Sequence, residues 1–128
     1  MAERLVLDAS AAVELLLQTS NGASVVGRLR GHELHAPAAL DARVASGIAN
    51  LRQLGLVSET DAAARLKVLA KAPIERHDVA PLLEEAWTLH RSIWVLDAIY
   101  LVLAERLGAR VITCDARLAR TSRLAELV

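Results

Sequence analysis

The sequence is poor in aromatic residues and in cysteine. Its 128 residues contain no Phe, one Tyr, two Trp and one Cys. A single cysteine excludes an internal disulfide and a cysteine-based zinc site, and it is typical of proteins from a reducing compartment, so we expect a cytoplasmic protein. The scarcity of aromatic side chains also argues against a single-strand binder that works by base stacking.

An excess of one charge and a long apolar run are missing as well. The chain has 15 Lys and Arg against 15 Asp and Glu, so neither an acidic nor a basic tail dominates. The apolar runs fall short of the ~20 residues of a membrane span, and the first residues lack a signal-peptide pattern, so we expect no membrane association. Because 54% of the residues are hydrophobic, disorder is excluded, and the length predicts a single domain over 1–128.

Short apolar runs alternate with helical patterns along the chain. The residues predict four strands, at 4–7, 32–36, 73–76 and 110–114, and about seven helices, the last over 116–127. Strands separated by helices indicate parallel pairing with right-handed crossovers. The strands lack polar alternation, which is typical of a sheet covered on both faces. We therefore predict an α/β fold with a short parallel sheet between helical layers.

Three aspartates lie where such a sheet places its ligands. Asp8 follows the first strand, Asp115 follows the last predicted strand, and Asp97 lies in the first turn of the helix between them. Ligands of open parallel sheets bind beyond the carboxyl ends of the strands. Each aspartate alone is better explained as a helix N-cap, but three carboxylates close together repel one another without a cation. Mg²⁺ or Mn²⁺ suits such oxygen ligands and can activate water against a phosphodiester.

With these aspartates in their strand and helix contexts, the chain resembles a known family, the PIN-domain ribonuclease toxins of the VapC type. The resemblance is carried, in the family's order, by the segments at 5–10, 35–44, 96–105 and 111–118. It implies a PIN-like three-layer domain of four to five strands, with a short fifth strand at the C-terminus that the residues alone do not predict. It also implies Mg²⁺-dependent cleavage of RNA with 5′-phosphate and 3′-hydroxyl products, and a cognate antitoxin that blocks the site.

Carried over by position, the resemblance assigns site residues. Asp8 and Asp97 match direct metal ligands of the family. Asp115 completes the catalytic metal site, either directly or through a water molecule. Ser10 and Thr113 match supporting hydroxyl positions that order a water or a carboxylate. Local capping or strand propensity explains these two hydroxyls equally well.

The chain departs from the family at one acidic position. Where the family has Glu on the helix after the second strand, this sequence has Arg43, six residues after Pro37 and directly before Val44. At 100° per residue, Arg43 lies at one edge of the inward face of that helix. We expect Arg43 to weaken metal binding, to impair the nuclease and to pair with Asp8 or Asp97 as a tethered cation.

Other readings stay open. One alternative is a non-catalytic PIN-fold module that binds RNA or a protein, with Arg43 filling the acidic pocket. A receiver-type phosphoryl-transfer domain is a weaker one, because the chain lacks an acidic pair after the first strand and a suitably placed lysine. The Leu-rich first two helices predict a groove for a partner helix or a homodimer face.

Two further patterns have ordinary explanations. The histidines show no metal-ligand spacing, which argues against zinc. Arg117, Arg120 and Arg123 recur every three residues and form either a phosphate-contacting stripe or a solvated helix face.

Overall fold

The computed structural model describes residues 2–128 and centres on a five-stranded parallel sheet. The strands are β1 (Arg4–Leu7), β2 (Glu33–Pro37), β3 (Ile74–His77), β4 (Arg110–Thr113) and β5 (Ala125–Leu127), in the spatial order β3-β2-β1-β4-β5. The seven α-helices are α1 (Ala9–Leu16), α2 (Ser20–Leu29), α3 (Ala39–Gln53), α4 (Glu59–Lys71), α5 (Leu83–Leu89), α6 (Val95–Leu107) and α7 (Ala116–Thr121). A 3₁₀ turn at Ala80–Leu82 precedes α5. The predicted α/β class with a short parallel sheet is confirmed.

The register of the central strands brings their carboxyl ends to one edge. Val6 on β1 is paired with His35 on β2 and with Val111 on β4. Leu7 is paired with Ile112, and the Asp8 amide donates to the Ile112 carbonyl at 3.0 Å. The turns that follow β1 and β4 therefore start side by side, at the edge where parallel sheets place ligands.

Helix α6 is buried all round, which sets the position of Asp97. Its residues from Asp97 to Ala104 are all buried, as expected for an apolar helix inside a domain rather than on its surface. Gly108 ends the helix with φ of +62°, a left-handed conformation that costs glycine little. Asp97 is consequently fixed in the core, although Val95 and Leu96 directly before it are exposed.

The C-terminal prediction was wrong in one element. The helix expected over 116–127 ends at Thr121, because Ser122 adopts extended backbone with φ −153° and ψ 141°. Residues 125–127 then form β5, with Ala125 paired with Val111. The fifth strand implied by the resemblance is therefore present. Among residues 2–128, no helix combines the length and the apolar character that a membrane crossing needs.

Candidate active site

The three predicted aspartates gather at the carboxyl edge of β1 and β4. Asp8 is the N-cap of α1, and Asp115 is the N-cap of α7, so the capping interpretation holds for both. Asp97 caps nothing: it lies in the first turn of α6 with 2% of its surface exposed. A buried carboxylate without a capping role needs a charge partner, and its surroundings supply cations.

Ser10 and Thr113 hold one oxygen of Asp8. Asp8 Oδ2 accepts from Ser10 Oγ at 2.6 Å and from Thr113 Oγ1 at 2.8 Å. The two hydroxyls in turn accept from backbone amides, Ser10 from Cys114 and Thr113 from Asp115, both at 3.0 Å. Each hydroxyl thus relays a main-chain dipole onto the carboxylate and fixes its orientation.

Arg43 lies between the two buried aspartates. Its Nη1 is 3.7 Å from Asp8 Oδ1 and 3.8 Å from Asp97 Oδ1, distances of ion pairing but not of hydrogen bonding. Nη1 is buried and has no hydrogen-bond partner among residues 2–128. Asp8 Oδ1 and Asp97 Oδ1 therefore face one point. The Arg43 guanidinium lies at that point and makes ion pairs there without a hydrogen bond from Nη1.

Tyr100 forms one wall beside Arg43. The Arg43 guanidinium lies 5.5 Å from the centroid of the Tyr100 ring, within cation–π range. Burial and the negative charge of Asp8 raise the pKa of Tyr100 far above its usual value, and the charge of Arg43 opposes the rise. The phenol is therefore a neutral wall and not a general base.

A second arginine bridges the remaining acids. Arg117 Nη2 donates to Asp97 Oδ2 at 2.8 Å and to Asp115 Oδ2 at 3.0 Å. The hydrogen bond to Asp97 and the charges of both carboxylates raise the pKa of Arg117. Its guanidinium lies 4.3 Å from the ring centroid of Trp94, which is 68% exposed. This arginine–indole stack forms the solvent-facing rim of the site.

Sequence reasoning missed part of this arrangement. Arg117 was considered only as one of three arginines in a stripe, yet it alone of the three pairs with the aspartates. Trp94, the exposed residue stacked on Arg117, is not among the residues that the sequence pattern singles out. A usable signal was the spacing of Arg117, two residues after Asp115, which places it in the first turn of the helix that Asp115 caps.

The donor set suits a hard divalent ion, while the arginines compete with one. Carboxylate oxygens are the ligands that Mg²⁺ and Mn²⁺ prefer, and Asp8 Oδ1 and Asp97 Oδ1 converge on one point. Three carboxylates and two guanidinium groups together leave one net negative charge. A divalent ion would therefore have to displace the Arg43 guanidinium to reach both aspartates.

Comparison with known proteins agrees with this fold. The sequence profile of the PIN domain matches residues 5–124. Ribonuclease VapC12 of Mycobacterium tuberculosis is 41% identical over 117 residues, which are 91% of each chain.

Solved structures share the architecture. PAE2754 from Pyrobaculum aerophilum has a TM-score of 0.70 at 24% identity and covers 97% of this chain and 82% of its own. VapBC2 from Rickettsia felis, bound to a DNA fragment from its promoter, has a TM-score of 0.64 at 12% identity, covering 98% of this chain and 97% of its own. With the sequence match and the shared fold together, the chain belongs to the PIN-domain family, among its VapC-type members.

Proposed function

We propose that this protein is a toxin-type endoribonuclease that hydrolyses RNA phosphodiester bonds and is neutralised by a cognate antitoxin. The observation that carries the proposal is the buried Asp97, whose Oδ1 faces the same point as Asp8 Oδ1. Burying carboxylates this close together is costly without a cation, and Arg43 and Arg117 now supply the positive charge that a divalent ion would supply in the active site. The name of the 41% identical relative, a ribonuclease, supports RNA as the substrate.

In the proposed site, Asp8 and Asp97 hold Mg²⁺ or Mn²⁺, and Asp115 completes the site from the rim. When bound, the ion supplies an activated water and neutralises charge on the phosphodiester. Ser10 and Thr113 keep Asp8 Oδ2 occupied, so that Oδ1 points into the pocket. Arg117, 39% exposed at its side chain, is placed to meet a backbone phosphate. The resulting products carry a 5′-phosphate and a 3′-hydroxyl.

Arg43 makes this a weak nuclease. A unit-charge pair at ~4 Å contributes about 4 kcal/mol of gross attraction at an effective dielectric of ~20, and Arg43 has two such pairs. Solvation of the partly exposed guanidinium reduces this figure, but even a few kcal/mol lowers metal affinity by orders of magnitude.

The partner of the toxin is supported by an apolar groove. Leu15, Leu16, Val26 and Val68 line a cavity between α1, α2 and α4, and the two valines are well exposed. An amphipathic antitoxin helix suits such a groove. The solved structure of the same fold from Rickettsia felis is a VapBC assembly by its name, which agrees with a protein partner here. We further propose a homodimer that acts in the cytoplasm.

The test is RNA cleavage by the unmodified chain and by Asp97→Asn across Mg²⁺ and Mn²⁺ concentrations. We expect slow, metal-dependent cleavage that Asp97→Asn abolishes while antitoxin binding is kept. Asp61→Asn, a change of an acid on α4, is the matched control and should cleave like the parent.

One observation favours a second candidate. Arg43 Nη1 already lies where a cation would lie, which suits a non-catalytic PIN-fold module that binds RNA or protein. Absence of cleavage from both the parent and Arg43→Glu under every metal condition would reject the nuclease, and retained binding of RNA or of a protein by the same samples would support the module.

A further inference from the structure

A second group of potential metal ligands lies on β2 and β3, on the opposite side of β1 from β4. His35 Nδ1 is 2.9 Å from His77 Nε2 and 3.3 Å from Glu75 Oε2. One ligand atom from each of these residues lies within 4.8 Å of the other two. The sequence pattern argued against zinc, but the structure brings together two histidines that are 42 residues apart.

The sheet itself holds these side chains on one face. His35 is paired with Glu75 across the strands, and His77 follows two residues later on β3. Residues two apart on a strand point to the same face, so Glu75 and His77 both project toward the side that His35 occupies. Strand pairing therefore preorganises the group without any loop.

Two of the three ligand-atom distances are close to those of a tetrahedral metal centre. Ligand atoms 2.0–2.1 Å from a Zn²⁺ ion in tetrahedral geometry lie about 3.3 Å from one another. The His35–Glu75 contact has this length, and the His35–His77 contact needs to open by only a few tenths of an ångström. The distance between the Glu75 and His77 ligand atoms is longer, within 4.8 Å, and the exposed Glu75 side chain would have to close it. Two imidazoles and a carboxylate are also the ligand set of three-residue zinc sites that leave a fourth position open.

Glu33 supplies the outer support that metal-bound histidines usually have. Its Oε1 is 3.3 Å from His35 Nε2, on the opposite side of the ring from the ligand group. A proton on Nε2 shared with Glu33 leaves the lone pair on Nδ1, directed at His77 and Glu75. In that tautomer the buried His35, with 4% of its surface exposed, can bind a metal through Nδ1.

Charge also separates this group from the aspartate site. Asp8, Asp97 and Asp115 all face guanidinium groups, whereas Glu75 pairs with no Arg or Lys within residues 2–128. The neighbouring Arg76 points to the other face and pairs with Asp41. The carboxylate of Glu75 is therefore available to a cation.

We propose that His35, Glu75 and His77 bind a borderline divalent transition-metal ion, with Zn²⁺ as the ion of choice. Imidazole nitrogens select such ions over Mg²⁺. The bound ion ties the edge strand β3 to β2 and so stabilises the fold, and it is independent of the aspartate site.

The test is Zn²⁺ binding to the untagged full chain by calorimetry, with the thermal midpoint and the visible spectrum of a Co²⁺-loaded sample as second measurements. We expect one equivalent of Zn²⁺, a raised midpoint and the intense bands of tetrahedral Co²⁺. His77→Ala and Glu75→Gln should each weaken Zn²⁺ at least tenfold. Glu75 is largely exposed, so its variant keeps the result readable if His77→Ala does not fold.

The controls are His90→Ala, outside the group, and Asp97→Asn, in the aspartate site. Both should bind Zn²⁺ like the parent. Failure of the parent to bind Zn²⁺ in the micromolar range, or unchanged binding by Glu75→Gln, overturns the proposal. The His35–His77 contact is then a simple imidazole hydrogen bond.

Discussion

Arg43 and Arg117 set the charge that the three aspartates present to a ligand. Arg43 faces Asp8 and Asp97 from inside the pocket, and Arg117 joins Asp97 to Asp115 at the rim. The inner guanidinium lacks a hydrogen bond at Nη1, whereas the outer one has two. Arg43 is therefore bound less tightly than Arg117. A substitution of Arg43 changes the charge of the site and breaks fewer hydrogen bonds.

Arg43→Glu should increase both metal affinity and RNA cleavage by at least tenfold, the equivalent of ~1.4 kcal/mol. The change removes a competing cation and adds a fourth oxygen donor beside Asp8 and Asp97. Cleavage rates measured against Mg²⁺ concentration provide the check. Arg30→Glu makes the same charge change at an exposed position on another element and should leave the rate unaltered. If the parent already cuts at full rate and the glutamate adds nothing, the role given to Arg43 is wrong.

Thr113→Val tests the hydroxyl relay to Asp8. The side chain is fully buried, and valine of nearly the same shape leaves Asp8 Oδ2 and the Asp115 amide each short of one partner. Stranding buried polar groups costs about 1–3 kcal/mol, so urea unfolding should show a loss of that size. Thr88→Val, at an exposed helix position, should lose much less. Equal losses from the two variants would contradict the relay.

At the level of elements, the sequence pattern predicted the features that adjacent residues determine. It missed the strand whose formation depends on pairing with a distant part of the chain. Asp8 and Asp115 were located because each directly follows an apolar strand run. The residue pattern does not predict the fifth strand, because Ala125–Leu127 is only three residues long and depends on pairing with β4. The helical spacing of the last segment favoured a continuous helix, and tertiary pairing outweighed it.

The packing of α1 against α2 depends on a glycine. A Cβ added at Gly22 would overlap the main-chain oxygen of Glu14, which cannot move without displacing α1. We expect Gly22→Ala to lower the free energy of unfolding by about 1–3 kcal/mol.

Gly27→Ala on the same helix is the matched control. Its added Cβ meets nothing within 4 Å, so the higher helix propensity of alanine should stabilise the protein by up to about 1 kcal/mol. Thermal unfolding of both variants gives opposite signs under this argument, and a raised midpoint for Gly22→Ala would contradict it.

On the scale of the whole molecule, the net charge is zero, but the charged side chains form three clusters that differ in composition. The aspartate site carries its own guanidinium groups, and the group of His35, Glu75 and His77 carries none. A third arrangement joins α2 to the last strand through Arg28 and Glu126. No local spacing could have predicted the last two, because their members come from different strands and helices and meet only in the folded sheet.

Arg28 on α2 binds Glu126 on β5 through two hydrogen bonds, from Nε at 2.6 Å and from Nη2 at 3.1 Å. Arg110 Nε adds a contact at 3.3 Å. The hydrogen bond and charge of Arg28 lower the pKa of Glu126, while burial acts in the opposite direction. This pair fixes the short last strand to a helix nearly a hundred residues earlier, so its protonation should affect global stability.

The lowered pKa determines the direction of the pH effect. The unfolded carboxyl titrates near its reference pKa of about 4.3, and the folded one titrates lower, so the folded state binds fewer protons between the two values. The stabilisation is therefore fully present above about pH 5 and is lost as the pH falls through the folded pKa. Glu126→Gln should be less stable than the parent at neutral pH, and the difference should shrink in acid.

Urea unfolding of both proteins from about pH 7 to about pH 3 measures that difference directly. Glu59→Gln is the matched control, because Glu59 also pairs with an arginine but its side chain is 74% exposed. Exposed pairs contribute little, so this variant should follow the parent at every pH. A constant gap between the parent and Glu126→Gln across the whole range would mean that Glu126 acts through packing alone, and the electrostatic anchoring of β5 would be rejected.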